Sequence, residues 1–161
     1  MSSELLHLLL LIVIANGAPI ILQALMKSQF DYSIDFGYCL HDQAPVFGSS
    51  KTWRGVIGAI VFTSLAAVVF GYSPATGALV AVYSVSGDLA SSFIKRRLGM
   101  SSSSMAPLLD QVPESLLPAV MLRQTFGLDY QSILILVGVF IVVELFLSVA
   151  LFKLGIRKRP Y

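Results

Sequence analysis

The chain has 161 residues, of which 56% are hydrophobic and 12% charged, and its formal net charge is +2. Soluble domains carry about 25% charged residues; with a mean hydropathy of +0.81, this composition excludes an ordinary soluble domain and reads as an all-α membrane protein. The small charge, with no basic tract carrying interleaved aromatics, excludes nucleic acid as a partner.

The apolar runs fall at about 5–26, 53–72, 75–94, 114–127 and 131–153. They predict a single polytopic domain over 1–161 with about five transmembrane helices. The first run ends in Ala15-Asn-Gly-Ala18, like a signal-peptide cleavage site, but Glu4 stands where a basic n-region belongs. It reads as a retained first span. Within it, Asn16-Gly-Ala-Pro19 interrupts the apolar pattern. Proline removes a donor and disfavours helix before it, so a broken helix lining a polar cavity is expected, or else a kink filled by a neighbour.

A polar loop follows, with Asp31, Asp35, His41, Asp42 and the string Gly48-Ser-Ser-Lys-Thr-Trp-Arg-Gly55. The string superficially resembles a phosphate-binding loop, but the G-x-x-x-x-G-K-[ST] spacing and a preceding strand are both missing. It reads as a helix start capped by Thr52 or Ser50, with free amides and the side chains of Lys51 and Arg54 available to phosphate. Trp53 suits an interfacial anchor. The turn Gly71-Tyr-Ser-Pro74 leads into the third run.

On that helix Ser84, Asp88, Ser91, Ser92, Lys95 and Arg96 recur at spacings of three and four, forming one polar stripe. Asp88 and Lys95 lie roughly 10 Å apart by helix rise, too far for a direct pair. The stripe suits a site in which a carboxylate holds Mg²⁺ and basic groups hold phosphates. The plainer alternative is an ion pair between Asp88 and Lys51 or Arg54. Asp110, on the loop after the serine run 99–104, supplies a second carboxylate.

The fourth run is short and contains Arg123, so its span is expected to be short, tilted or partly re-entrant; Gly127-Leu-Asp-Tyr130 then turns into the last span, which carries Glu144. Glu144 is a functional candidate by its intramembrane position, or a paired structural group with Arg123 or Asn16 as partner. Five crossings with the N-terminus outside put every Lys and Arg except Arg123 on one side, including the cluster Lys153–Arg159. The positive-inside rule makes that side, and the C-terminus, cytoplasmic. The active site is then expected at the cytoplasmic face. Cys39, the one cysteine, and the isolated His7 and His41 show no ligand spacing.

Asn16-Gly-Ala-Pro19, Asp35, Asp42, Pro45-Val-Phe-Gly48, Ser50-Lys-Thr-Trp-Arg-Gly55, Gly87-Asp88, Ser92-Phe-Ile-Lys-Arg-Arg97 and Pro107-Leu-Leu-Asp-Gln111 together resemble the CDP-archaeol synthase family. That family is similar to the membrane cytidylyltransferases that make CDP-diacylglycerol. The resemblance covers residues 16 to about 113 in order, and the family's five membrane spans agree with the charge argument. It implies a nucleotidyltransferase: a lipid phosphate such as di-geranylgeranylglyceryl phosphate attacks the α-phosphorus of CTP and expels pyrophosphate, in phospholipid biosynthesis. The partners so implied are CTP, the lipid phosphate and the lipids of a cell membrane crossed several times. A second copy of the chain, as a homodimer, stays open.

Carried onto these residues, Asp88 and Asp110 would bind Mg²⁺, with Asp88, Lys95 and Arg96 catalytic. Lys51, Thr52, Arg54, Ser92 and Asn16 would bind nucleotide or phosphate. Two departures stand out. The resemblance implies a further carboxylate about two residues after Gln111, where this chain has Val112-Pro113 and then Glu114. The serine run replaces a Gly/basic loop. Competing classes are a phosphatidate-using synthase, a non-catalytic module binding anionic lipid, and a transporter using the broken first helix.

Overall fold

The computed structural model describes residues 2–104 and 106–155. Five α-helices make up the fold: α1 Ser3–Met26, α2 Trp53–Val69, α3 Pro74–Arg97, α4 Gln111–Met121 and α5 Tyr130–Lys153. Helices α1, α3 and α5 are long and apolar enough to cross a membrane; α2 is a shorter apolar helix. The chain is a membrane protein of all-α class. Of the basic cluster expected at the C-terminus, Arg157, Lys158 and Arg159 lie outside the described residues.

The helix starts follow local chemistry. Ser2, Thr52, Ser73 and Asp129 cap α1, α2, α3 and α5, their side chains accepting from the amides of Leu5, Gly55, Thr76 and Ser132. Pro74 opens α3, where a missing N–H costs nothing.

Two expectations change. Helix α1 does not break at Asn16–Pro19; it runs through Pro19 to Met26. Proline in a helix interior loses one hydrogen bond and crowds the preceding turn. Tertiary packing offsets this: a Cβ on Gly55 would lie 3.2 Å from Pro19 Cβ, and one on Gly58 would meet Leu22 Cδ1 at 2.1 Å. The two glycines let α2 approach the proline-bearing face of α1.

The fourth segment, expected over 114–127, is a helix only over Gln111–Met121. Its 11 residues rise about 16 Å, roughly half the hydrocarbon thickness. The apolar residues beyond it form turns that plug the bundle: Leu122, Phe126 and Leu128 are buried. These residues lie outside the helix and are buried by neighbouring helices.

Helix α3 packs against α1, α2 and α4, while α5 lies against α4 and α1. The apolar core gathers Leu8, Leu11 and Ile12 of α1 with Val80, Phe126, Leu136 and Phe140. The loops 27–52 and 98–110 meet at the other end of α3. The first of these is ordered by Asp35, whose carboxylate accepts from the amides of Gly37, Phe47 and Gly48 at 3.0, 2.9 and 2.8 Å. Burial works against that charge, but the donors outweigh it and hold the Asp35 pKa below its ordinary value.

Candidate active site

The polar stripe of α3 turns into the bundle. Ser84, Ser91, Ser92, Lys95 and Arg96 are all buried. Buried charges need partners, and these come from other elements. Lys51 Nζ, at the end of the first loop, reaches both oxygens of Asp88 at 2.6 and 2.5 Å. Lys95 Nζ lies 2.7 Å from Asp110 Oδ1 and donates to Ser104 O at 2.9 Å. The amide of Ala106 donates to Asp110 Oδ2 at 2.9 Å. Two lysines and two aspartates thus gather in one seam, in which Lys95 is buried and Lys51, Asp88 and Asp110 are partly exposed. Burial disfavours the Lys51 charge, but the adjacent Asp88 carboxylate outweighs it and raises the Lys51 pKa above its ordinary value.

A third carboxyl closes the seam. Glu114, in the first turn of α4, is only 8% exposed, and its carboxyl group meets that of Asp88. Gly87 makes this approach possible. A Cβ there would lie 2.2 Å from the Pro113 carbonyl oxygen and 2.7 Å from the Glu114 nitrogen. Glu144 of α5 lies near enough to Glu114 to act on its charge.

Of the residues named from sequence, the structure gathers Lys51, Asp88, Lys95 and Asp110 in this seam. Ser92 is buried one turn from Asp88 on the same helix. Asn16 sits one turn further along, accepting from Ser84 Oγ at 3.2 Å, while its Nδ2 is buried without a hydrogen-bond partner. Thr52 caps α2.

Arg96 binds the serine loop, donating to Ser102 Oγ at 3.0 Å and Ser101 O at 2.8 Å. Gly48 presses against that contact: at φ +93, its Cβ would meet Ser102 Oγ at 2.4 Å. Arg54 is turned to the loop after α1. It donates to the carbonyls of Lys27 and Gln29 and pairs with Asp31 at 3.0 Å. In this structure the Arg54 guanidinium is turned to the end of α1 and not to the Lys51–Asp88 pair.

Sequence reasoning missed two of these roles. Arg97 pairs with Asp42 at 3.3 Å and donates to Ala44 O and Pro45 O, clamping the first loop onto α3. Gly87 was visible only as part of a string; its value lies in an interhelical contact that no periodicity signals.

Mg²⁺ fits this donor set. Asp110 Oδ1 is buried without a hydrogen bond of good geometry, and Asp88 and Glu114 face each other. Among the described residues no group of three or more His, Cys, Asp and Glu side chains would enclose an ion alone. Mg²⁺ asks for less, taking one or two carboxylates and completing its shell with water and substrate phosphates.

A family model described as "CarS-like: CDP-archaeol synthase" matches residues 73–161. The chain is 36% identical to a CDP-archaeol synthase of Hyperthermus butylicus over 61% of its own length and 59% of that protein's. It is 30% identical to one of Sulfolobus acidocaldarius, over 80% and 82% of the two chains. A solved structure described as an intramembrane enzyme for archaeal membrane lipids biosynthesis superposes with a TM-score of 0.71 at 26% identity, covering 86% of this chain and 89% of that one. The chain spans about 60% of the length of the first curated relatives it matches. With the family model covering more than half of its residues, the chain belongs to the CarS-like, CDP-archaeol synthase family.

Proposed function

We propose that the chain is a CTP-dependent cytidylyltransferase. It transfers a cytidylyl group from CTP to a membrane lipid phosphate of the di-geranylgeranylglyceryl phosphate type and releases pyrophosphate. The observation that carries this reading is the partly buried seam Lys51–Asp88–Glu114 with Lys95–Asp110 beside it, at the end of a membrane bundle where two polar loops converge. Names of the curated relatives supply the substrate class.

The residues divide the work as follows. Lys51 and Lys95, each already held by a carboxylate, offer ammonium groups to the triphosphate as charge builds on the departing pyrophosphate. Arg96 and the serine loop it holds would cover the nucleotide. The acceptor phosphate carries its own nucleophilic oxygen, so positioning matters more than a strong base. Asp88 and Asp110 would hold Mg²⁺, which when bound neutralises phosphate charge. An open apolar groove of about 440 Å³, walled by Leu22, Met26, Trp53, Ile57, Val61 and Phe62, begins next to Lys51 in the chain and suits a hydrocarbon tail of the acceptor. The seam would face the cytoplasm of a cell membrane spanned several times, with the N-terminus outside.

The test is pyrophosphate release by purified protein in detergent, given CTP, Mg²⁺ and either an archaeal-type or a diacyl lipid phosphate, with ATP and EDTA controls. Release with CTP, metal and one lipid only is the expected result. Release with neither lipid overturns the reading. Release with phosphatidate alone keeps the reaction and changes the acceptor.

A further inference from the structure

We propose that the loop 27–52 is seated on the bilayer surface. An aromatic lip of Phe30, Tyr32 and Trp53 lies in the headgroup layer on the seam's side, and the lipid surface is the partner that holds the Lys51 segment in place. The proposal goes beyond the cytidylyltransferase reading and stands on the geometry of the loop alone.

Helix lengths carry the first part. Helices α1 and α3 have 24 residues each and α2 has 17, about 36 Å of rise against about 26 Å. The short turn at 70–73 keeps α2 and α3 level at the far end, so the shortfall lies at the seam. There Gly55, in the first turn of α2, meets Pro19, and α1 climbs roughly 10 Å further to Met26. Trp53 therefore opens α2 roughly 7 Å nearer the bilayer centre than Met26 closes α1. A helix the length of α1 exceeds the hydrocarbon layer of about 30 Å by only a few Å at each end. The drop thus puts Trp53 at the boundary between hydrocarbon and headgroups, where Trp and Tyr rings concentrate.

The loop is fastened at that level. After Met26 the chain reverses through Lys27 and Phe30, both at positive φ, and the buried Arg54 guanidinium donates to the carbonyls of Lys27 and Gln29. The returning segment pairs with the start of α2: Trp53 N donates to Tyr32 O at 3.0 Å and Ile34 N to Lys51 O at 2.8 Å. Phe30 and Tyr32 are each 66% exposed and Trp53 44%, and all three line one groove with Leu22 and Met26 of α1 and Ile57 of α2. The lip is continuous with the side that a membrane-crossing helix turns to lipid. Contiguous exposed apolar surface marks a membrane or protein contact. Asp31, the acidic residue beside the lip, is already paired with Arg54, so no bare carboxylate opposes the headgroups. Lys51 shares the pairing with Ile34 and bonds Asp88. Seating the lip therefore steadies the residue that completes the seam.

Trp53 is the one tryptophan of the chain, which makes its fluorescence a direct probe. The full chain is reconstituted in phosphatidylcholine vesicles whose acyl chains carry bromine either just below the headgroup or near the chain end. Acrylamide reports access from water. The shallow bromines are expected to quench Trp53 about twofold or more above the deep ones, at the level where indole rings settle, with acrylamide quenching weakly. The double variant F30S/Y32S, which strips two rings from the lip, is expected to gain acrylamide quenching and lose bromine quenching while its helix content is kept.

Strong acrylamide quenching of wild type without a bromine effect overturns the proposal, because the loop then stands in water. Quenching by neither reagent also overturns it, because a second copy of the chain then covers the lip. Deep bromines quenching best overturn it by placing Trp53 within the hydrocarbon. A folded F30S/Y32S variant with unchanged quenching shows that the lip does not hold the loop and overturns it too. If that variant does not fold, Y32S replaces it with the same expectations. No nucleotide enters the measurement, so failure of cytidylyl transfer leaves this inference standing.

Discussion

Gly87 of α3 sits so close to Pro113 of α4 that a single added carbon would lie 2.2 Å from the Pro113 carbonyl oxygen. The residues that follow each of them, Asp88 and Glu114, are the two carboxyls that meet. A backbone contact therefore sets the separation of the charged groups. Replacing Gly87 by alanine must push α4 away, because the obstructing atoms are backbone and cannot turn aside. G87A is expected to lose about 1–3 kcal/mol of stability, the usual consequence of overpacking, and most of its turnover. Thermal melting and pyrophosphate release check it; full activity in G87A would show that the Asp88–Glu114 approach is irrelevant to function.

Asp88 is the centre of the seam, bonded to Lys51 and facing Glu114. D88N keeps the shape and removes the charge. The expected result is a loss of turnover of at least about 100-fold, the scale seen when one electrostatic group of an active site is removed, in protein that still elutes as a folded species. Near-wild-type turnover in D88N would reduce the Lys51–Asp88 pair to a structural ion pair.

Arg54 separates the clamp from the phosphate-binding role. Its guanidinium serves Lys27 O, Gln29 O and Asp31. Removing it leaves the carbonyls of Lys27 and Gln29, both exposed residues, to water and frees the loop after α1 from α2. R54A is therefore expected to speed proteolysis within 27–35 before any change in CTP affinity. A variant with an intact loop and a raised KM for CTP would instead assign Arg54 to the nucleotide.

Asp35 makes the first loop sensitive to acid. Its folded pKa is lowered from the ordinary 3.8 by the amides of Gly48, Phe47 and Gly37, against the opposing effect of burial. A lowered folded value means that its contribution is complete above the ordinary value and is lost as pH falls through the folded one. Amide exchange at Phe47 and Gly48, corrected for intrinsic rates, is expected to lose protection only below about pH 4. D35N is expected to show reduced protection already at neutral pH. Unchanged protection in D35N would mean that the carboxylate does not order the loop.

Much of the architecture was readable from the residues. The apolar runs located all five helices, and Thr52 was one of two residues expected to cap the second; Ser73 and Asp129, read only as parts of turns, prove to cap α3 and α5. The spacing of Ser84, Asp88, Ser91, Ser92, Lys95 and Arg96 put them on one face, because a helix repeats every 3.6 residues. Where the reading departed from the structure, tertiary packing had overridden a local rule. Pro19 stayed helical against Gly55, and 122–127 lies outside the helix, with Leu122 and Phe126 buried in the bundle.

By itself, then, the sequence determined a membrane-embedded helical chain with a charged stripe on α3 and basic groups gathered near its loops. Periodicity and hydropathy are local properties, and they suffice for that. Only the tertiary structure decided which charge meets which. Lys51 and Asp88 are 37 residues apart, and nothing in local patterning separates Lys51, which faces the seam, from Arg54, which faces away from it. Charges withdrawn from water must be paired, but the partner is chosen by packing: the loop 27–52 brings Lys51 to Asp88, and Gly87 brings the start of α4 against α3.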